Sequence, residues 1–138
     1  YIARSGAQRH MNAGYMLGSR VPAQVTAAGM AILSARGEAA SDAWLEQHTL
    51  RAFTSFTISS KDQLRGELQR HRRQGWVLSE QQLELNYRGI AVPLLDRNNE
   101  VHGAISITMP INQEPSDDAV KRVLPVLQEA ARGLRPLL

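Results

Sequence analysis

Apolar and polar positions alternate along this chain with two different periods, and the changes of period mark out its elements. From residue 76 onward the pattern is strand-like: "WVLSE", then "YRGIAVPLL", a polar "DRNNE" turn and "VHGAISITMP". The last two runs predict an antiparallel hairpin. Upstream the pattern is helical. A small-residue run, "TAAGMAILSA", ends near Ala35; "ASDAWLEQH" offers Ser41 as the cap of a short helix carrying Trp44 and Leu45. "TISSKDQLRGELQRHRRQG" places Ser60 and Gln63 at capping-box spacing, with Gly75 as the stop. The final "SDDAVKRVLPVLQEAARGLRPLL" predicts a helix from a Ser116 cap, with Pro125 kinking or restarting it. At the start, "YIARS" and "HMNAGYMLG" read as strands joined through "SGAQR", with the chain opening inside the first, as a piece cut from something longer does. The order ββ, helices, βββ, helix predicts an α+β fold, helices packed on an antiparallel sheet, in one domain over residues 1–138.

Composition narrows the function. No apolar run approaches the length a bilayer requires and no signal peptide is evident, so the expected location is the cytoplasm, with no membrane partner. The absence of cysteine excludes disulfides, thiolate zinc sites and cysteine nucleophiles. A net charge of +3 comes from sixteen basic and thirteen acidic residues spread over the chain. The one dense cluster, Arg65, Arg70, His71, Arg72 and Arg73, falls near the end of a predicted helix, where cations complement the macrodipole. That reads as a solvated face rather than a nucleic-acid surface. His10, His48, His71 and His102 are far apart and none forms a ligand-spaced pair, so no metal is indicated. There is no Walker A loop, GxGxxG or GxSxG elbow, so no cofactor and no catalytic residue is assigned.

Two stretches make a binding pocket plausible. With Thr26 as cap, Ala27, Ala28 and Gly29 form a first helical turn whose backbone N–H groups lack intrahelical partners and whose side chains leave an anion room to approach. The competing reading starts the helix at Pro22 and uses the small residues for close helix–sheet packing. In the strand "GAISITM", Ile105, Ile107 and Met109 point to a core while Ala104, Ser106 and Thr108 form a small hydroxylic face, either lining a cavity or facing solvent.

These stretches, joined by "GWVLSEQQLELNYRGIAVPLLDRNNEVHGAISITMP", resemble the effector-binding domain of IclR-family bacterial transcription regulators over nearly the whole chain. "YIARS", "GSRVPA" and "GIAVP" most resemble the PcaR/PcaU/PobR branch, regulators of aromatic-acid catabolism. The resemblance implies a GAF-like fold with a curved antiparallel sheet, an N-terminal winged helix-turn-helix DNA-binding domain absent from this fragment, and a small organic acid as effector. It implies DNA contact only through that missing domain, and self-association into a dimer or tetramer. Carried over position by position, the effector site comprises Ala27, Ala28, Ser79, Tyr87, Gly89, Ser106 and Thr108, with Arg20 and Arg88 as candidate partners for a second carboxylate. Three positions depart from the family: Ser79 is acidic in some members, Met30 replaces a frequent lysine, and Tyr87 is bulkier than the usual aliphatic residue. Ser79 and Tyr87 suit an aromatic acid, or a dicarboxylate from ring cleavage. The expected function is therefore non-catalytic sensing of a small acid. A self-association module without ligand and a small hydrolase or isomerase are the rival readings.

Overall fold

Thr26 sets where the first helix begins. A 3-10 turn, Ala23–Val25, follows Pro22, and Thr26 then takes an extended conformation (φ −112°, ψ 143°) before α1, Ala27–Ala35. Its hydroxyl accepts from Gly29 N at 3.1 Å, the cap expected from sequence, so the α-helix does not start at Pro22. The chain is described by a computed structural model that covers residues 1–5 and 16–138. The predicted N-terminal hairpin lies mostly outside these residues, and among them no strand includes residues 1–5.

Two more helices follow. In α2, Glu38–Gln47, the chain enters through Gly37 at φ 95°, a conformation that favours glycine. Ser41, expected as the cap, instead lies inside α2, and its hydroxyl donates to the carbonyls of Leu33 (2.7 Å) and Gly37 (2.8 Å). The sequence offers no other capping side chain there, and glycine takes the position through backbone freedom. In α3, Lys61–Gln74, Ser60 Oγ accepts from Gln63 N at 3.3 Å and Gly75 closes the helix at φ 81°. The basic cluster of α3 is largely paired within the fold: Arg65 with Asp42 and Asp62, Arg70 with Glu67, and Arg72 with the Ser34 carbonyl and the Ser41 hydroxyl.

Strands β1 (Val77–Glu80), β2 (Tyr87–Leu95) and β3 (Val101–Pro110) form an antiparallel sheet in that order. The final helix, α4, spans Ser116–Leu134. Ser116 is its first residue rather than its cap, which falls at Pro115, and α4 runs through Pro125 without restarting. Alternation along the strands gives the sheet two covered faces. Val77 and Ala91 join Met30, Ala31, Leu33, Leu64 and Leu68 under α1 and α3, while Ile90, Val92 and Met109 pack on Ala119, Val123 and Leu127 of α4. Ile105 packs on the α4 core as expected, but Ile107 is 36% exposed, because α4 covers only part of that face. Met30, at 0% exposure, is a core residue and not part of any binding surface.

Candidate functional site

On the α1 face, one row of residues runs straight across the sheet: Ser79 pairs with Gly89, and Gly89 with Thr108. The next rung places Ser106 opposite Ala91. The middle of the row has no side chain, and the N-terminus of α1 rests on that gap. A Cβ at Gly89 would lie 3.0 Å from the Ala27 Cβ and 3.9 Å from the Ala27 nitrogen. Ala27 is accordingly buried, while Ala28 remains partly exposed.

The first turn of α1 is only partly satisfied. Gly29 N donates to Thr26 Oγ1 and Met30 N to the Thr26 carbonyl at 3.0 Å. The N–H groups of Ala27 and Ala28 have no hydrogen-bond partner among the described residues. They carry the positive end of the helix dipole toward the hydroxyl row.

A cleft of about 670 Å³, counted to its open mouth and including the solvent there, lies between these elements. Ala27, Ala28, Ser79, Tyr87, Gly89, Ser106 and Thr108, the seven residues picked out from the sequence, all line it. Arg20 is exposed and does not border the cleft. Arg88 borders it, but its guanidinium is engaged elsewhere: 4% exposed, it pairs with Glu80 Oε2 at 3.1 Å and donates to the Glu114 carbonyl at 2.9 Å. Arg88 follows Tyr87 in the strand, so its side chain leaves on the opposite face.

The wall that sequence reasoning missed is the β1–β2 connection, residues 81–86, from which Gln81, Gln82, Leu83 and Glu84 border the cleft; Tyr1, Val25 and Thr26 do so too. Two threonine hydroxyls hold this wall. Thr54 Oγ1 donates to the Gln81 carbonyl and Thr57 Oγ1 to the Gln82 carbonyl, both at 2.5 Å. Gln81 sits at φ 58°, and its side-chain oxygen accepts from Asn86 N at 3.0 Å, closing the connection on itself. The length of "QQLELN", well beyond a two-residue hairpin, was the available signal. Away from the cleft, Asp96, Glu100 and His102 bring their ligand-type atoms within 4.8 Å of one another at the β2–β3 turn. There the His102 hydrogen bond, then the Glu100 amide, hold the Asp96 carboxyl below its ordinary range.

Comparison with known proteins places this geometry. Residues 1–135 match the family model for the bacterial transcriptional regulator IclR C-terminal domain. The chain is 33% identical to the Pca operon regulatory protein of Acinetobacter baylyi over 99% of this chain and 51% of that protein. It is also 33% identical to the Pca regulon regulatory protein of Pseudomonas putida, over 97% of this chain and 46% of that protein. Among solved structures it superposes with a TM-score of 0.87 on the inducer-binding domain of the PobR transcription factor from Acinetobacter, a double mutant in complex with 3-hydroxybenzoic acid. That match is 29% identical and covers 96% of this chain and 75% of the other. The chain spans about half the length of the curated relatives it matches. It belongs to the bacterial transcriptional regulator IclR C-terminal family.

Proposed function

We propose that the chain is the effector-sensing part of a bacterial transcription regulator and that its cleft binds a small aromatic acid of the hydroxybenzoate class. One observation carries this reading: a cleft built from two helix-turn N–H groups without partners, facing a row of hydroxyls with a tyrosine at its edge. The carboxylate accepts from the Ala27 and Ala28 N–H groups, where charge-assisted bonds gain from the helix dipole. Ser79, Ser106 and Thr108 supply hydroxyls that donate or accept as the bound molecule requires, and Tyr87 supplies an aromatic edge for a ring. Gln81 and Glu84 on the opposite wall offer acceptors for a ring hydroxyl. The PobR domain solved with 3-hydroxybenzoic acid supports the choice of acid.

The domain performs no chemistry in this reading. It acts in the cytoplasm by binding the acid better in one arrangement of a self-associated regulator than in another, and it passes that preference to a DNA-binding domain of the intact protein. Self-association follows from the paired half-sites that winged-helix regulators read, and light scattering on the purified chain tests it, a monomer at high micromolar concentration counting against it. A thermal-shift screen of benzoates, hydroxybenzoates and linear dicarboxylates tests the ligand assignment. A hydroxybenzoate that raises the melting temperature saturably supports it, and a response confined to linear dicarboxylates refutes the aromatic assignment.

A further inference from the structure

None of residues 48–60, which join α2 to α3, borders the effector cleft, yet this segment is built around one hydroxyl that holds the cleft's outer wall. Thr57 is 9% exposed, and its Oγ1 uses its one proton and both lone pairs: it donates to the Gln82 carbonyl at 2.5 Å and accepts from Phe53 N at 3.0 Å and Thr54 N at 2.9 Å. Thr54 Oγ1 donates to the Gln81 carbonyl and accepts from Phe56 N at 3.1 Å. Ile58 N adds a bond to the Gln82 side-chain oxygen at 3.3 Å. Two consecutive wall residues, Gln81 and Gln82, are thus held by groups 24 to 27 residues away in sequence.

The anchorage decides what this clamp can do. Leu50 and Ile58 flank it and pack on the core formed by Met30 and Ala31 of α1 with Leu64 and Leu68 of α3. The wall is therefore tied to the same body that carries the Ala27 and Ala28 N–H groups. Gln81, at φ 58°, takes a conformation that a residue other than glycine adopts rarely, so local preference alone does not hold the connection in this shape. Removing the Thr57 hydroxyl would strip one carbonyl and two amides of their partner at once.

We propose that Thr57 is a positioning residue for effector binding: residues 53–58 and the 81–84 wall form one unit, so that occupancy of the cleft is felt in a segment the acid never touches. This rests on the acid-binding reading of the cleft. Without acid the wall opens by local fluctuation, and each opening breaks the Thr57 bonds with it. A bound acid that needs the wall in place suppresses those openings by mass action.

Hydrogen exchange of the wild-type chain, with and without 3-hydroxybenzoate at about ten times its Kd, reads this at the Phe53 and Thr54 amides. Both should slow about tenfold, while the Asn98 and Glu100 amides, which bond to Asp96 Oδ1 at the far end of β2, should not change. Thr57→Val, nearly the same shape without the hydroxyl, should abolish that slowing and weaken the acid by about threefold to tenfold. Thr57→Ser, which restores the hydroxyl, should recover both. A merely structural role would lower the melting temperature and leave exchange at Phe53 and Thr54 indifferent to the acid. The proposal is overturned if the acid binds and those two amides slow no more than Asn98 and Glu100, or if Thr57→Ser binds as weakly as Thr57→Val. The wild-type exchange decides the matter even if Thr57→Val fails to fold. A wild-type chain that does not bind the acid refutes the cleft reading itself, and the clamp falls with it.

Discussion

Gly89 and Ala27 meet so closely that a Cβ added at Gly89 would lie 3.0 Å from the Ala27 Cβ, and this contact sets the height at which α1 begins above the sheet. On the other side of the helix start, a Cβ at Gly29 would lie 2.3 Å from the Ala23 carbonyl oxygen, inside the backbone of the preceding turn. The bare opening of α1 thus has two causes. Ala27 and Gly29 are small because neighbouring elements crowd them, and Ala28, the more exposed of the two alanines that line the cleft, is small where a ligand would approach.

Those contacts rank three substitutions. Gly89→Ala should cost about 1–3 kcal/mol, since the opposing atom is a methyl that can shift a little. Gly29→Ala should cost more, because backbone atoms cannot move aside alone. Gly66→Ala, inside α3 with nothing within 4 Å of the added Cβ, should stabilise by about 0.5–1 kcal/mol. Urea unfolding of the three variants checks the order, and a Gly29→Ala protein as stable as wild type would show that the Ala23 turn is not packed as described.

Arg88 is a structural cation in this account. Arg88→Met removes a buried guanidinium from Glu80 and the Glu114 carbonyl, and should cost about 2–4 kcal/mol. Affinity for an aromatic acid, measured by calorimetry on the folded variant, should stay within about twofold of wild type. A large loss of affinity without loss of stability would move Arg88 into the binding site.

The buried imidazole gives stability a pH dependence of known sign. His71 has a folded pKa of about 4 against an ordinary value of 6.5, so the unfolded chain binds the extra proton between those limits. Stability from this group is complete above pH 6.5 and falls as the pH drops toward 4, by about 3 kcal/mol across the window. Asp96 and Glu114, whose carboxyls are held low by His102 and Arg122 respectively, act in the same direction further into acid. Chemical denaturation from pH 7 to 4.5 should show a markedly flatter profile for His71→Gln, and equal slopes would contradict the assignment.

Much of the architecture was legible in the sequence because each element carried its own punctuation. Ser60, Gln63 and Gly75 bracket α3, and the polar "DRNNE" separates two strands of matching period. Ser41 misled because a serine early in a helix can cap it or bond back to a carbonyl, and only the Leu33 carbonyl of another helix decided which. The cleft was half legible. Hydroxyl alternation on β3 and the small residues of α1 are local signals, whereas the Gln81–Glu84 wall depends on Thr54 and Thr57 more than twenty residues away. The same holds for His71: its lone character in sequence gave no sign that its ring would be buried.

The most direct test of the central claim is the affinity of 3-hydroxybenzoate for the wild-type chain and for Ala28→Pro, with the melting temperature of each measured alongside. Proline removes the Ala28 N–H at a first-turn position that tolerates its fixed φ, so the fold should survive. Loss of a charge-assisted bond of about 1.5–3 kcal/mol should weaken binding at least tenfold, while Ser106→Ala and Thr108→Val should weaken it less. An Ala28→Pro chain that keeps both its melting temperature and its full affinity would place the carboxylate elsewhere and leave packing as the whole explanation of the bare helix start.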